Sequence, residues 1–114
     1  MSKLTDKLAE FGVDVAMTMD RFVDDEDLYV NCLNIFLNDE KLGLLEKAIK
    51  NKDYEEATEY TKEIKGFVGN LGLEPLAENL SELSEKLAME EYENVGDILK
   101  VIFEKIERLK KIEL

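Results

Sequence analysis

The stretch DYEEATEYTKEIKGFVGNLGLEPLAENLSELSEKLA, residues 53–88, decides the fold class. Ala57, Thr61, Ile64, Val68 and Leu71 recur at steps of four and three, the spacing that lines one face of an α-helix. Asp53 and Glu56 stand in the Asp-x-x-Glu order of an N-terminal cap with a reciprocal partner, so a helix is predicted to begin at Asp53 or Tyr54. Gly72 stands where a left-handed residue closes a helix. Pro75 suits the first turn of the next one, because the N–H it lacks would have no intrahelical acceptor there. Leu73, Leu76, Leu80, Leu83 and Leu87 then carry the apolar stripe onward. Two amphipathic helices joined by so short a turn have to lie antiparallel.

The same periodicity extends in both directions. Upstream, Leu42, Leu45, Ala48 and Ile49 mark a helix that stops at Asn51-Lys52. Before it, Tyr29, Cys32, Leu33, Phe36 and Leu37 form the stripe of a helix ending near Asn38. Asp24 and Asp25 offer cap oxygens to that helix, and Glu26 and Asp27 suit its positive end. Leu4, Leu8 and Phe11 predict a short N-terminal helix, and a second helical piece follows across Gly12 from Val15 to Phe22. Downstream, Val95, Ile98, Leu99, Ile102, Ile106 and Leu109 define the last helix. No sustained period-two alternation points to a strand, and one Pro with six Gly in 114 residues favours helix throughout. The predicted fold is all-α: one domain over 1–114, an antiparallel up-down four-helix bundle over roughly 25–112, and a short N-terminal helical segment at 3–22.

Composition narrows function. Fifteen basic against 27 acidic residues leave a net charge of −12, which repels phosphate backbones and anionic lipid headgroups, so neither nucleic acid nor a membrane is expected as a partner. Lys105 to Lys111 complement the negative end of the last helix. The run from Leu28 to Leu37 is half of the ~20 residues that a bilayer span requires, and Lys3, Asp6 and Lys7 interrupt any signal-peptide core, so a cytoplasmic location is expected. Cys32 cannot form an internal disulfide alone, and it is read as a buried, inert thiol. Met17, Met19 and Met89 are read as packing residues. Asp24 to Asp27 lack the spaced ligands and Gly-containing loop of a cation site, so no metal and no cofactor is expected. The chain contains no histidine, which removes every mechanism in which imidazole acts as base or nucleophile.

Residues 62–72, KEIKGFVGNLG, break a rule. Gly66 and Gly69 fall inside a predicted helix, where each costs about 1 kcal/mol relative to Ala. At about 100° per residue the core side is Ala57, Ile64, Val68 and Leu71, which puts Lys62, Lys65, Gly66 and Gly69 together on the opposite, solvent side. Core packing cannot account for glycines placed there. Three readings account for them from spacing alone: a partner that needs bare backbone near Lys62, a helix that frays early, or a neighbouring element of the chain that the spacing does not place.

This segment resembles the signature of histidine-containing phosphotransfer (HPt) domains. In that family an acceptor His is followed by an aliphatic residue at +2, Lys at +3 and Gly at +4, matched here by Ile64, Lys65 and Gly66. The continuation, small at +7, polar at +8, aliphatic or aromatic at +9 and Gly at +10, is matched by Gly69, Asn70, Leu71 and Gly72. Arg21-Phe22 through Glu26, Leu28-Tyr29, Leu33 and Phe36 similarly resemble the first bundle helix of the family, so the likeness covers roughly residues 13–110.

One position departs: Lys62 stands where the family has its phosphoacceptor. An ammonium has no free lone pair at neutral pH, and no histidine elsewhere can substitute. The resemblance therefore implies a pseudo-HPt module of two-component signalling. It would dock the receiver domain of a response regulator through Lys62, Lys65, Gly66, Gly69 and Asn70 without accepting phosphate, acting as a monomer and not as an enzyme. The alternative is a bundle scaffold or dimerisation module that kept the fold and lost the relay.

Overall fold

The computed structural model describes residues 2–112, and every regular element among them is helical. Seven helices follow in order: α1 (Lys3–Phe11), α2 (Val15–Arg21), α3 (Glu26–Leu37), α4 (Glu40–Lys50), α5 (Tyr54–Asn70), α6 (Glu74–Ala88) and α7 (Val95–Lys110). The two helical pieces expected in the N-terminal segment are present, and the expectation of four bundle helices is corrected in count. Two helices occupy the N-terminal segment and five follow it.

Local chemistry explains both breaks. Gly12, at φ +114°, ends α1, and the Asp14 carboxylate caps α2 by accepting from the Met17 N–H at 3.2 Å. Asn38 closes α3, and Asp39 restarts the chain as α4 by accepting from the Lys41 N–H at 2.9 Å. Each of these helices has its own capping side chain, so its first free N–H groups are satisfied without continuing the helix before it.

Other boundaries fall where the residue chemistry predicts. Asp25, and not Asp24, caps α3 through the Leu28 N–H at 3.0 Å, while Asp24 is itself left-handed at φ +58°. Asp53 accepts from the Glu56 N–H at 3.3 Å to start α5. Gly72 is left-handed at φ +68°, and Pro75 lies in the first turn of α6.

α5 lies between α4 and α6, α6 packs on α7, and α4 also meets α7, so these neighbours enclose a core. α3 and α4 run successively along α5 in the opposite direction. Lys41 pairs with Glu63 at 3.4 Å, the Phe36 and Phe67 rings lie 5.5 Å apart, and the Tyr29 hydroxyl donates to the Leu71 carbonyl at 2.7 Å. Residues rising along α3–α4 thus meet residues falling along α5, which gives an elongated molecule of 43 × 21 × 20 Å. At the end bearing the α4–α5 and α6–α7 turns, Tyr54 and Tyr92 stack with centroids 3.7 Å apart.

The stripes named from sequence are the core. Leu42, Leu45, Ala48, Ile49, Ala57, Ile64, Val68, Leu71, Leu73, Leu76, Leu80, Leu83, Leu87 and the six α7 positions of the predicted stripe are buried. α1 adds Leu4, Leu8 and Phe11. Thr61 is fully buried and donates its hydroxyl to the Ala57 carbonyl at 2.7 Å, which satisfies it inside an apolar layer.

Three packing expectations change. Met19 is buried, but Met17 and Met89 are 62% and 58% exposed, Met17 because α2 turns it away from the core and Met89 because it lies in the turn just past the end of α6. Cys32 is half-buried at the edge of the α3 stripe. Lys105 reaches across to Asn79 Oδ1 at 2.6 Å and the Pro75 carbonyl at 3.3 Å, tying α7 to the start of α6 and not serving its own helix end. Arg108 lies over the Phe11 ring at 5.3 Å, a cation–π contact that holds α1 to α7.

Candidate functional site

The outward side of α5 forms the site. Because Ala57, Thr61, Ile64 and Val68 turn inward, Lys62, Lys65, Gly66, Gly69 and Asn70 are all exposed, on the side the periodicity assigned to them. A Cβ built on Gly66 or Gly69 would meet nothing within 4 Å. Neither glycine has a positive φ, so nothing within the chain requires a glycine at either position.

Gly72, in the same segment, is different. Its backbone is left-handed and any Cβ there would collide with the side chain of Thr18. The segment therefore holds one glycine that the fold demands and two that it does not.

Open glycines are not confined to α5. Gly43 in α4 and Gly96 in the first turn of α7 also have nothing within 4 Å of an added Cβ. What distinguishes Gly66 and Gly69 is their setting among cations. Among the described residues neither Lys62 nor Lys65 is in an ion pair, whereas nearby Glu63 is paired with Lys41.

A third cation comes from α2. Arg21 Nη1 donates to the Gly69 carbonyl at 3.0 Å and to the Asn70 carbonyl at 2.8 Å. These carbonyls lie at the C-terminal end of α5, where that of Gly69 also accepts from the Gly72 N–H at 3.2 Å, so a guanidinium is well placed both to cap the end and to complement its negative pole. Asn70 enters the site through its backbone as well as its exposed side chain.

Large apolar side chains are also exposed on α3. Ile35 and Leu28 on α3 are 62% and 43% exposed. At about 100° per residue, Cys32 falls between this pair and Phe36, whose ring meets Phe67 of α5, so Leu28 and Ile35 lie on the outer side of α3, beyond its contact with α5. Sequence reasoning placed Leu28 only within the resemblance to the first bundle helix, did not name Ile35, and missed the role of Arg21. The only sequence signal for Leu28 and Ile35 is their seven-residue spacing, off the stripe of Tyr29, Leu33 and Phe36.

The Tyr29 hydroxyl completes the support by holding the Leu71 carbonyl just past the end of α5. Burial pushes its acid dissociation well above the ordinary tyrosine range. The α5–α6 turn is also braced by α1 and α2: Gly12 leaves room for Pro75, since a Cβ on it would lie 2.7 Å from the proline Cγ.

The resulting arrangement can present bare backbone to an approaching surface and offer it positive charge. Among the described residues no group of three or more Cys, Asp and Glu is placed to hold a metal ion, and no helix is long and apolar enough to cross a membrane. No family model, no curated protein and no solved structure matches the chain.

Proposed function

We propose that the chain is a pseudo-HPt module of two-component signalling, which docks receiver domains through the outward face of α5 and does not accept phosphate. The observation that carries this reading is the pair Gly66 and Gly69, exposed and unneeded by the fold, beside the unpaired Lys62 and Lys65. Each glycine costs about 1 kcal/mol of helix stability relative to Ala, and close approach by a second molecule accounts for that cost. Receiver active sites are acidic, so Lys62 supplies charge complementarity at the position where the HPt family carries its imidazole. In this reading α3 and α4 together form the first helix of an HPt-like four-helix bundle, completed by α5, α6 and α7 and closed at one end by α1 and α2. The module is monomeric in this reading and does not relay phosphate, since a chain without histidine lacks the imidazole on which the HPt family accepts the phosphoryl.

A scaffold or dimerisation role is the second reading, favoured by Gly43 and Gly96, which are as open as the α5 glycines but lie elsewhere. NMR titration of the labelled chain with receiver domains encoded in the same genome separates the two. Amide shifts centred on Lys62, Lys65, Gly66 and Gly69 support docking. No shift with any receiver, together with concentration-dependent self-association, supports the scaffold.

A further inference from the structure

α2 lies between two left-handed points of the backbone, Gly12 at φ +114° on one side and Val23 and Asp24 at φ +50° and +58° on the other. The second point runs against the preference of its residues. The Val23 N–H donates to the Asp20 carbonyl at 3.0 Å and the Asp24 N–H to the Met19 carbonyl at 2.7 Å, the paired bonds of a helix stop whose left-handed residue is ordinarily glycine. A β-branched side chain there crowds the following carbonyl, and Val23 is 78% exposed, so no packing offsets the strain. α2 itself is thinly anchored. It has seven residues, too few to hold as a helix alone, and only Thr18 and Met19 among them are buried. Its long-range ties run to the α5–α6 turn: the Arg21 guanidinium on the Gly69 and Asn70 carbonyls, and the Thr18 side chain against Gly72. The helices on either side are fixed separately, α1 by Leu4, Leu8 and Phe11 in the core with Arg108 over the Phe11 ring, and α3 by the Tyr29 hydroxyl on the Leu71 carbonyl.

We infer that residues 13–22 form a strap that opens as a unit between Gly12 and Val23, with α1 and α3 still anchored, at a lower free energy than the bundle unfolds. Closed, the strap holds the C-terminal end of α5, and with it the Gly69 and Asn70 positions of the candidate face. Open, it withdraws Arg21 from both carbonyls and Thr18 from Gly72, and the left-handed valine relaxes. Val23 acts as a spring that favours opening, and Arg21 and Thr18 act as the latch that opposes it. The strap sets the order of that end of the face whatever molecule the face takes, so it stands independently of receiver docking.

Native-state hydrogen exchange of the full chain, followed by NMR, tests this. The amides of Thr18, Phe22 and Asp24, with that of Gly72 beyond the latch, are expected to exchange together and about tenfold or more faster than those of Leu80 and Leu83, after correction for intrinsic rates. Val23→Gly removes the strain and is expected to slow the strap amides about fivefold. Ile102→Val weakens the bundle core, and it is expected to speed exchange at Leu80 and Leu83 while leaving the strap amides unchanged. Protection of α2 equal to that of α6, with both falling together in Ile102→Val, overturns the inference, because α2 then opens only by global unfolding. Unchanged exchange in Val23→Gly overturns it as well, since the valine then stores no strain. A Gly72 amide that stays as protected as Leu80 and Leu83 shows that the strap does not reach α5, which also overturns it. None of these outcomes touches the docking reading, which fails separately if no receiver binds.

Discussion

Arg21 donates to the carbonyl of Asn70 at 2.8 Å, joining the second helix of the chain to the end of the helix that carries the candidate docking face. The N-terminal helices are thus part of the site's support. Arg21→Ala removes this bond and its twin to Gly69, and the expected cost is about 1 kcal/mol because the pair is solvent-exposed. Thermal unfolding by circular dichroism measures the loss, and amide exchange should accelerate first at Leu71 and Leu73. Unchanged exchange there would show that α2 does not brace this end of α5.

Gly66→Ala and Gly69→Ala are expected to stabilise the protein by about 1 kcal/mol each, since both sites are helical and an added methyl meets nothing. The same substitutions should weaken receiver docking. Urea unfolding and receiver titration on the same variants check the two signs together. Stabilisation without loss of binding would mean that docking does not explain these glycines. Gly72→Ala should do the opposite of its neighbours, destabilising the fold by more than about 1 kcal/mol through its left-handed backbone and its collision with Thr18.

Tyr29→Phe leaves the buried Leu71 carbonyl without its donor and is expected to cost about 1–3 kcal/mol. The hydroxyl also sets a pH dependence. Burial raises the folded-state pKa above the unfolded value near 10, so the folded state holds the proton that the unfolded state releases. The neutral form's contribution is complete below pH ~10 and is lost as pH climbs beyond it toward the folded pKa. Denaturant unfolding between pH 8 and 11 should show the wild type losing stability more steeply than Tyr29→Phe. Parallel curves would mean that the hydroxyl is more hydrated than its burial indicates.

Lys62→His places an imidazole at an exposed position of α5 with Lys65 and Gly66 at the HPt spacing. The expected outcome is acceptance of radiolabelled phosphate from a phosphorylated receiver by this variant and none by the wild type. Labelling of neither, with a receiver whose docking has been demonstrated, would show that the α5 face is not arranged for in-line transfer. Lys62→Glu should instead weaken docking by about tenfold, because it opposes the receiver's acidic site with like charge.

Where the deciding interactions are local, the residues announce them. Asp25 and Asp53 cap the helices they precede, Gly72 is left-handed, Pro75 opens α6, and the outward placement of Lys62, Lys65, Gly66, Gly69 and Asn70 follows from the periodicity of α5 alone. The misread positions lie at the margins of stripes. A residue such as Cys32 or Met17, just off a core-facing row, is buried or exposed according to how neighbouring helices close around it. Lys105 reads as a complement to its own helix end until α6 supplies Asn79 and the Pro75 carbonyl as partners.

By itself the sequence determined the all-helical class, the ends of most helices, their buried rows and the absence of any imidazole chemistry. These follow from capping, from the 3.6-residue repeat and from composition, each of which acts within a few residues or on the chain as a whole. Only the tertiary structure decided that Arg21 caps α5, that Tyr29 holds Leu71 and that Thr18 makes Gly72 obligatory. Each of these joins residues more than forty positions apart, so none exists until the helices have packed.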